Sequence, residues 1–215
     1  MSSETLLMNY YDSLFQALGP SRWWPGKTPF EVCVGAVLTQ NTNWSNVQKA
    51  IQNLSDQELL HPEKMAALDE EHLAELIRPS GYFKVKAHRL KNFLEFMRRE
   101  CSYDLSALAH MDMEKLRDKL LGVKGIGPET ADSILLYALN QPSFVVDAYT
   151  RRILNRHFLV QEDIEYHELR DFFMDRLPVD VALYNEYHAL LVRTGKEWCR
   201  KTTPLCTHCP LGKYL

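Results

Sequence analysis

Apolar residues recur along most of the chain at spacings of three and four, the period of a helix that buries one face, and alternating strand patterns are absent. Leu7, Tyr11, Leu14, Phe15 and Leu18 form a first stripe that stops at Gly19-Pro20. A second helix opens at Thr28-Pro29-Phe30-Glu31, which supplies an N-cap, a proline for the first helical position and a capping-box acid, and it continues through Val34, Val37 and Leu38. Val47, Ile51 and Leu54 mark a third helix, and Leu73, Leu76 and Ile77 precede the Pro79-Ser80-Gly81 turn. Leu90, Phe93, Leu94 and Met97 follow that turn; near the end, Phe172, Phe173 and Leu177 precede Pro178, and Tyr184, Tyr187, His188 and Leu191 form the last long stripe. The pattern predicts an all-α protein.

Composition narrows the class. With 215 residues, 46% hydrophobic and 25% charged, the chain is long enough to bury a substantial core, divisible into two lobes. It contains neither a run of about 18 apolar residues nor a charged-then-apolar leader, so a cytoplasmic, nucleoid-associated protein is expected. A formal net charge of -3 argues against a general nucleic-acid coat but leaves room for one positive face. Candidates for that face are Lys84, Lys86, Arg89, Lys91, Lys124, Arg151 and Arg152, of which fewer than half are expected to touch a polyanion, while Asp69-Glu70-Glu71 should point away.

The most informative segment is Leu121-Gly122-Val123-Lys124-Gly125-Ile126-Gly127-Pro128-Glu129-Thr130-Ala131. Met113, Leu116, Leu120 and Leu121 before it, and Ala131, Ile134, Leu135 and Ala138 after it, keep helical spacing, so two helices flank a tight turn. Gly125 and Gly127 permit positive φ and leave no Cβ between the turn and a partner, and Pro128 suits the start of the second helix. Backbone N-H groups there can bind a phosphate; a plain connector would use the same residues. Downstream, the apolar run Phe144-Val145-Val146 ends in Asp147, where the stripe of Ile153, Leu154, His157 and Phe158 begins. By spacing alone, Asp147 is a helix N-cap.

Hairpin, helix, extended loop and acidic helix start, in this order, resemble the helix-hairpin-helix (HhH-GPD) DNA glycosylases of the endonuclease III superfamily. Gln40-Asn41-Thr42-Asn43-Trp44-Ser45 resembles the loop after that family's first barrel helix, and Gly81-Tyr82-Phe83-Lys84-Val85-Lys86-Ala87 its central turn. The resemblance implies a six-helix barrel with the hairpin over residues 29-138, and a second helical domain from residues 1-28 and 139-215 with a cysteine loop. It places the substrate cleft between the lobes. It further implies a monomer that acts on double-stranded DNA containing damaged bases, flips the target nucleotide out and hydrolyses its glycosidic bond, with Asp147 as the catalytic carboxylate. Gln40 matches the residue that fills the vacated space, or is only a polar residue at a helix end; Lys86, Lys124, Gly125 and Gly127 complete the DNA-binding set.

Strand-cleaving members place a Schiff-base lysine just after the hairpin, and here Glu129 occupies that slot. A glutamate forms no imine, so a monofunctional enzyme is expected. Trp23-Trp24-Pro25, with Glu129, is similar to the base pocket of the 3-methyladenine DNA glycosylase branch, which suggests alkylated purines such as 3-methyladenine, whose positive charge suits aromatic faces. Trp23 and Trp24 could instead pack the lobes together, and Glu129 could merely complement its helix dipole. The alternatives are a glycosylase for oxidised or mismatched pyrimidines and a non-catalytic DNA-binding protein.

Among five cysteines, Cys33 falls on an apolar face and Cys101 ends a helix without a visible partner. Cys199, Cys206 and Cys209 give C-x6-C-x2-C, similar to the first three ligands of the superfamily's [4Fe-4S] loop, and Leu215 stands where the fourth cysteine ligand would be. A cluster with another fourth ligand, a degenerate loop with free thiols and a shortened chain are all open. His208 makes a Cys3His zinc site conceivable, although adjacent ligands at 208 and 209 would be strained.

Overall fold

The computed structural model describes residues 2-215. It is all-helical, with no strand among the described residues: α1 (Ser3–Leu18), α2 (Pro29–Leu38), α3 (Trp44–Asp56), α4 (Pro62–Ala67), α5 (Glu70–Leu76), α6 (Phe83–Cys101), α7 (Leu105–Ala109), α8 (Met113–Leu121), α9 (Pro128–Ser133), α10 (Ala148–Arg156), α11 (Tyr166–Met174) and α12 (Val181–Glu197). Helix α9 runs on into a π-helical stretch, Ile134–Ala138. Among the described residues no helix is long and apolar enough to cross a membrane.

The chain divides into two compact units, one of Pro25–Gln141 and the other of the segment up to Trp24 together with Pro142–Leu215. In the first unit α2 is the central helix. Phe30 and every residue from Val32 to Leu38 are buried, because an almost uninterrupted apolar sequence has no face to give to water. It packs against α3, α6, α9 and the π-helical stretch. Its start is fixed by Thr28, whose side chain accepts the Glu31 N-H, with Pro29 at the first position, as the sequence indicates. Caps by Asn43, Asp69 and Asp112 set the starts of α3, α5 and α8 in the same way, each a contribution of about 1 kcal/mol.

The second unit is built on an aromatic core. Phe144 stacks on Phe173 with ring centroids 4.1 Å apart, and Tyr184 and Tyr187 meet Phe144 edge-on. Tyr187 is fully buried and donates to the Leu7 carbonyl of α1 at 2.8 Å, and burial drives its phenol well above the ordinary range. Tyr10 meets His157 at 2.7 Å, and burial, helped by Tyr214, pushes the Tyr10 phenol up to about 12. These contacts correct the stripe expected on α1. The buried face is Leu7, Tyr10, Ser13 and Leu14, whereas Phe15 is 39% exposed, since the helix is rotated to bring Tyr10 against His157 and Tyr214.

Candidate active site

The turn between α8 and α9 forms as a glycine hairpin. Gly125 adopts φ +100°, and a Cβ there would lie 2.3 Å from Arg89 Cγ, so both conformation and space require glycine. Gly127 differs from expectation: its φ is -91°, it serves as the N-cap of α9, and nothing lies within 4 Å of the place a Cβ would take. Its use is the open approach. The carbonyls of the turn are tied down by side chains from elsewhere, Lys124 O by Asn92 Nδ2 at 2.9 Å and Gly125 O by Gln40 Nε2 at 3.1 Å. Glu129 and Lys124 are exposed beside this turn.

Gln40 is engaged at both ends. Its Nε2 also donates to Thr130 Oγ1 at 2.9 Å, and its Oε1 accepts from Arg89. The half-buried side chain is thus stitched to the hairpin. Lys86 is likewise engaged inside the fold. It is 1% exposed and its ammonium donates to Leu38 O at 2.8 Å and Ser80 O at 2.6 Å, so it closes the C-terminal end of α2 and is withheld from any phosphate. Burial, with a smaller effect from Arg89, pulls its pKa down to about 8.

The other cations sort by the same rule. Lys91 spends its amine on the carbonyls of Ala66 and Leu68 at the end of α4, and Arg152 spends its guanidinium on Gly195 O and Cys199 O. Lys84, Lys124 and Arg151 are exposed. Sequence reasoning gave no part to Tyr82, which is 74% exposed at φ 47° on the central turn. An exposed large aromatic held in the left-handed region is the signal that only coordinates reveal.

Asp147 caps α10. Its Oδ1 accepts from the Thr150 N-H at 2.8 Å and the Thr150 hydroxyl at 3.0 Å, and its Oδ2 lies 3.7 Å from His188 Nε2 on α12. Its side chain is 12% exposed. Burial raises the carboxyl pKa, yet the polar contact and charge of His188 and the two Thr150 donors outweigh it, so the group lies below the ordinary aspartate value. The cap and the anion coexist in one residue. His188, assigned only to a core stripe by the sequence, is thereby part of the site.

Trp23 and Trp24 stand edge to face, centroids 5.6 Å apart and both half-buried, and the buried Trp23 indole N-H has no hydrogen-bond partner among the described residues. Cys33 is buried, as its place on an apolar helix face leads one to expect, and Cys101 at the end of α6 is buried as well. Cys199, Cys206 and Cys209 line one small cavity of about 20 Å³ with Arg156 and Leu215, and Arg156 Nη1 lies 3.3 Å from Cys199 Sγ. Thiolates suit iron and a guanidinium offsets their charge, but Leu215 brings no donor. The described residues contain no group of three or more His, Cys, Asp or Glu side chains arranged to hold a metal ion. The residues present therefore fit a [4Fe-4S] cluster in donor type and not in donor number.

The model of the HhH-GPD superfamily of base excision DNA repair proteins matches residues 34-179, across the hairpin, Asp147 and the helices around them. The chain belongs to that superfamily. As an HhH-GPD protein it is a base excision repair DNA glycosylase. It is 44% identical over 211 residues to a Methanocaldococcus jannaschii protein named as a putative DNA repair glycosylase, covering 97% of this chain and 95% of the other. Endonuclease III of Sulfolobus acidocaldarius is 28% identical over 192 residues, 88% of this chain and 83% of that one. Among solved structures, Helicobacter pylori 3-methyladenine DNA glycosylase bound to 1,N6-ethenoadenine superposes with a TM-score of 0.77 at 29% identity, over 92% of this chain and 98% of the other. Endonuclease III in a trapped covalent DNA intermediate superposes at 0.83 with 20% identity, over 99% and 98%, a likeness of fold.

Proposed function

We propose that this glycosylase is monofunctional: it releases alkylated purines from double-stranded DNA by hydrolysis, with Asp147 as its catalytic carboxylate. The observation that carries the reading is the state of Asp147, a carboxylate that stays ionised although nearly buried, with one oxygen fixed by its own helix. Breaking an N-glycosidic bond develops positive charge on the sugar. A fixed anion stabilises that charge and orients or deprotonates the attacking water. Glu129 in place of an amine supports the absence of strand cleavage, because the covalent route needs a nitrogen nucleophile.

The substrate class is supported by the Trp23-Trp24 pair and by the likeness to the Helicobacter pylori enzyme. Alkylation at a ring nitrogen makes the base cationic, which both favours an aromatic face and weakens the glycosidic bond. In this reading Trp23 and Trp24 stack on the base. Lys124, Gly125 and Gly127 meet the backbone. Gln40 fills the vacated stack only after releasing Gly125 and Thr130; exposed Tyr82 can stack without breaking any such bond, a gain of about 1–3 kcal/mol for base on aromatic. A [4Fe-4S] cluster on Cys199, Cys206 and Cys209 would order the C-terminal loop; optical absorption and iron analysis of freshly purified protein test it, and a colourless, iron-free, folded sample excludes it.

The decisive experiment uses duplexes carrying single defined lesions, with and without alkali after incubation. The reading requires release of 3-methyladenine with breaks only after alkali. Prompt nicking without alkali overturns the monofunctional assignment, preference for an oxidised pyrimidine overturns the substrate class, and no release of any base leaves a DNA-binding protein.

A further inference from the structure

We propose that His188 is a positioning residue for the Asp147 carboxylate, holding its second oxygen from α12 so that the anion stays aimed for reaction. This rests on the reading of Asp147 given above and deepens it. The two oxygens of Asp147 are held unequally. Oδ1 takes two donors from Thr150, in the first turn of the same helix, and would be held so in any capped helix. Oδ2 is what remains for chemistry, and the side chain that faces it, at 3.7 Å, comes from 41 residues further along the chain. His188 is 5% exposed. Its position is set by α12, whose flanking residues Tyr187, Ala189 and Leu190 are all buried, and by the packing of α12 on α10.

The remaining charges on the elements around the pair are committed elsewhere or face water. On α10, Arg152 binds Gly195 O and Cys199 O, Arg156 binds Arg200 O and Lys201 O, and Arg151 is exposed. On α12, Glu186 accepts the Ser21 N-H, Arg193 binds Leu18 O and Gly19 O, and Lys196 and Glu197 are exposed. Glu4 and Asp12 of α1, which also packs on α12, are exposed. His188 is therefore the group that offsets the burial of Asp147 from outside its own helix. Without it, burial would raise the Asp147 pKa and widen the acidic range over which the group is protonated, a form that neither stabilises a sugar cation nor takes a proton from water.

The test compares the full-length wild type with H188L and H188Q, the glutamine keeping an N-H donor without the imidazole. Carboxyl 13C NMR gives the Asp147 pKa in the free protein, and single-turnover release of 3-methyladenine from a duplex is followed against pH. In H188L the Asp147 pKa and the acid limb of the rate profile should rise together by about one unit or more, with lesion binding unchanged. H188Q should recover part of that shift. An unchanged Asp147 pKa or rate profile in folded H188Q and H188L would overturn the proposal, and a loss of thermal stability alone, with the wild-type profile retained, would reduce His188 to packing. Should D147N still release base normally, the catalytic reading of Asp147 fails, and the NMR titration separately reports whether the two groups are coupled.

Discussion

The hairpin of α8 and α9 and the capped start of α10 solve opposite problems. The hairpin offers backbone, and its carbonyls are held from outside: Gln40, itself bound by Arg89, and Asn92 come from distant parts of the sequence to bind Gly125 O and Lys124 O, while Val123 and Ile126 of the turn are buried. Asp147 offers a side chain, and half of its restraint is local, since Thr150 three residues on holds Oδ1 by a geometry any N-cap provides. A backbone site is thus fragile to changes far from it, while a side-chain site keeps part of its geometry through a neighbour in sequence.

The sharpest way to break that contrast is D147N. It keeps a cap acceptor for Thr150 and removes the charge, so base release should fall by about 100- to 10,000-fold with lesion affinity and melting temperature nearly unchanged, measured by single-turnover excision, binding and calorimetry. If affinity or folding collapses instead, the residue is chiefly a cap. G125A probes the backbone site at the turn itself. Alanine at φ +100° meets Arg89, and a loss of about 1–3 kcal/mol of stability is expected, with DNA affinity falling through disorder of the turn. Denaturant unfolding and fluorescence anisotropy separate the two effects.

Two lysines sharpen the comparison further. For Lys86, a pKa lowered to about 8 from 10.5 means the unfolded chain holds the proton more tightly, so its contribution to stability is least favourable below pH 8 and improves as pH rises toward 10.5. The difference in unfolding free energy between wild type and K86M should rise over that window, with DNA affinity unaffected. A flat difference would mean the buried amine keeps the pKa of an exposed lysine. K124A should show the smallest effect, no change in folding and a reduction of about one in the slope of log affinity against log salt, measured by titration at several salt concentrations. An unchanged slope would remove Lys124 from the DNA contacts.

Much of this was legible because it depends on neighbours in sequence. Thr28-Pro29, Asp147 and Gly125 announce themselves because caps, proline starts and left-handed turns are settled within four or five residues. The helical class followed from periodicity, and family membership from motifs spread over the chain. The eye fails where two residues share a type and differ in orientation. Lys84 and Lys86 sit two apart in one turn, and which of them faces water depends on where α6 meets α2. Gly125 and Gly127 look equivalent, yet Arg89 crosses only the first.

By itself, then, the sequence determined the helical class, most of the longer helices and the caps at Thr28 and Asp147, because these are governed by short-range sterics and hydrogen bonding; the short helices α4 and α7 it did not mark. Tertiary structure alone decided which polar groups are spent inside the fold: Lys86 and Gln40 on internal carbonyls, Lys91 on the end of α4, His188 beside Asp147. A buried donor takes the acceptor that packing brings to it, and packing joins residues far apart in the chain.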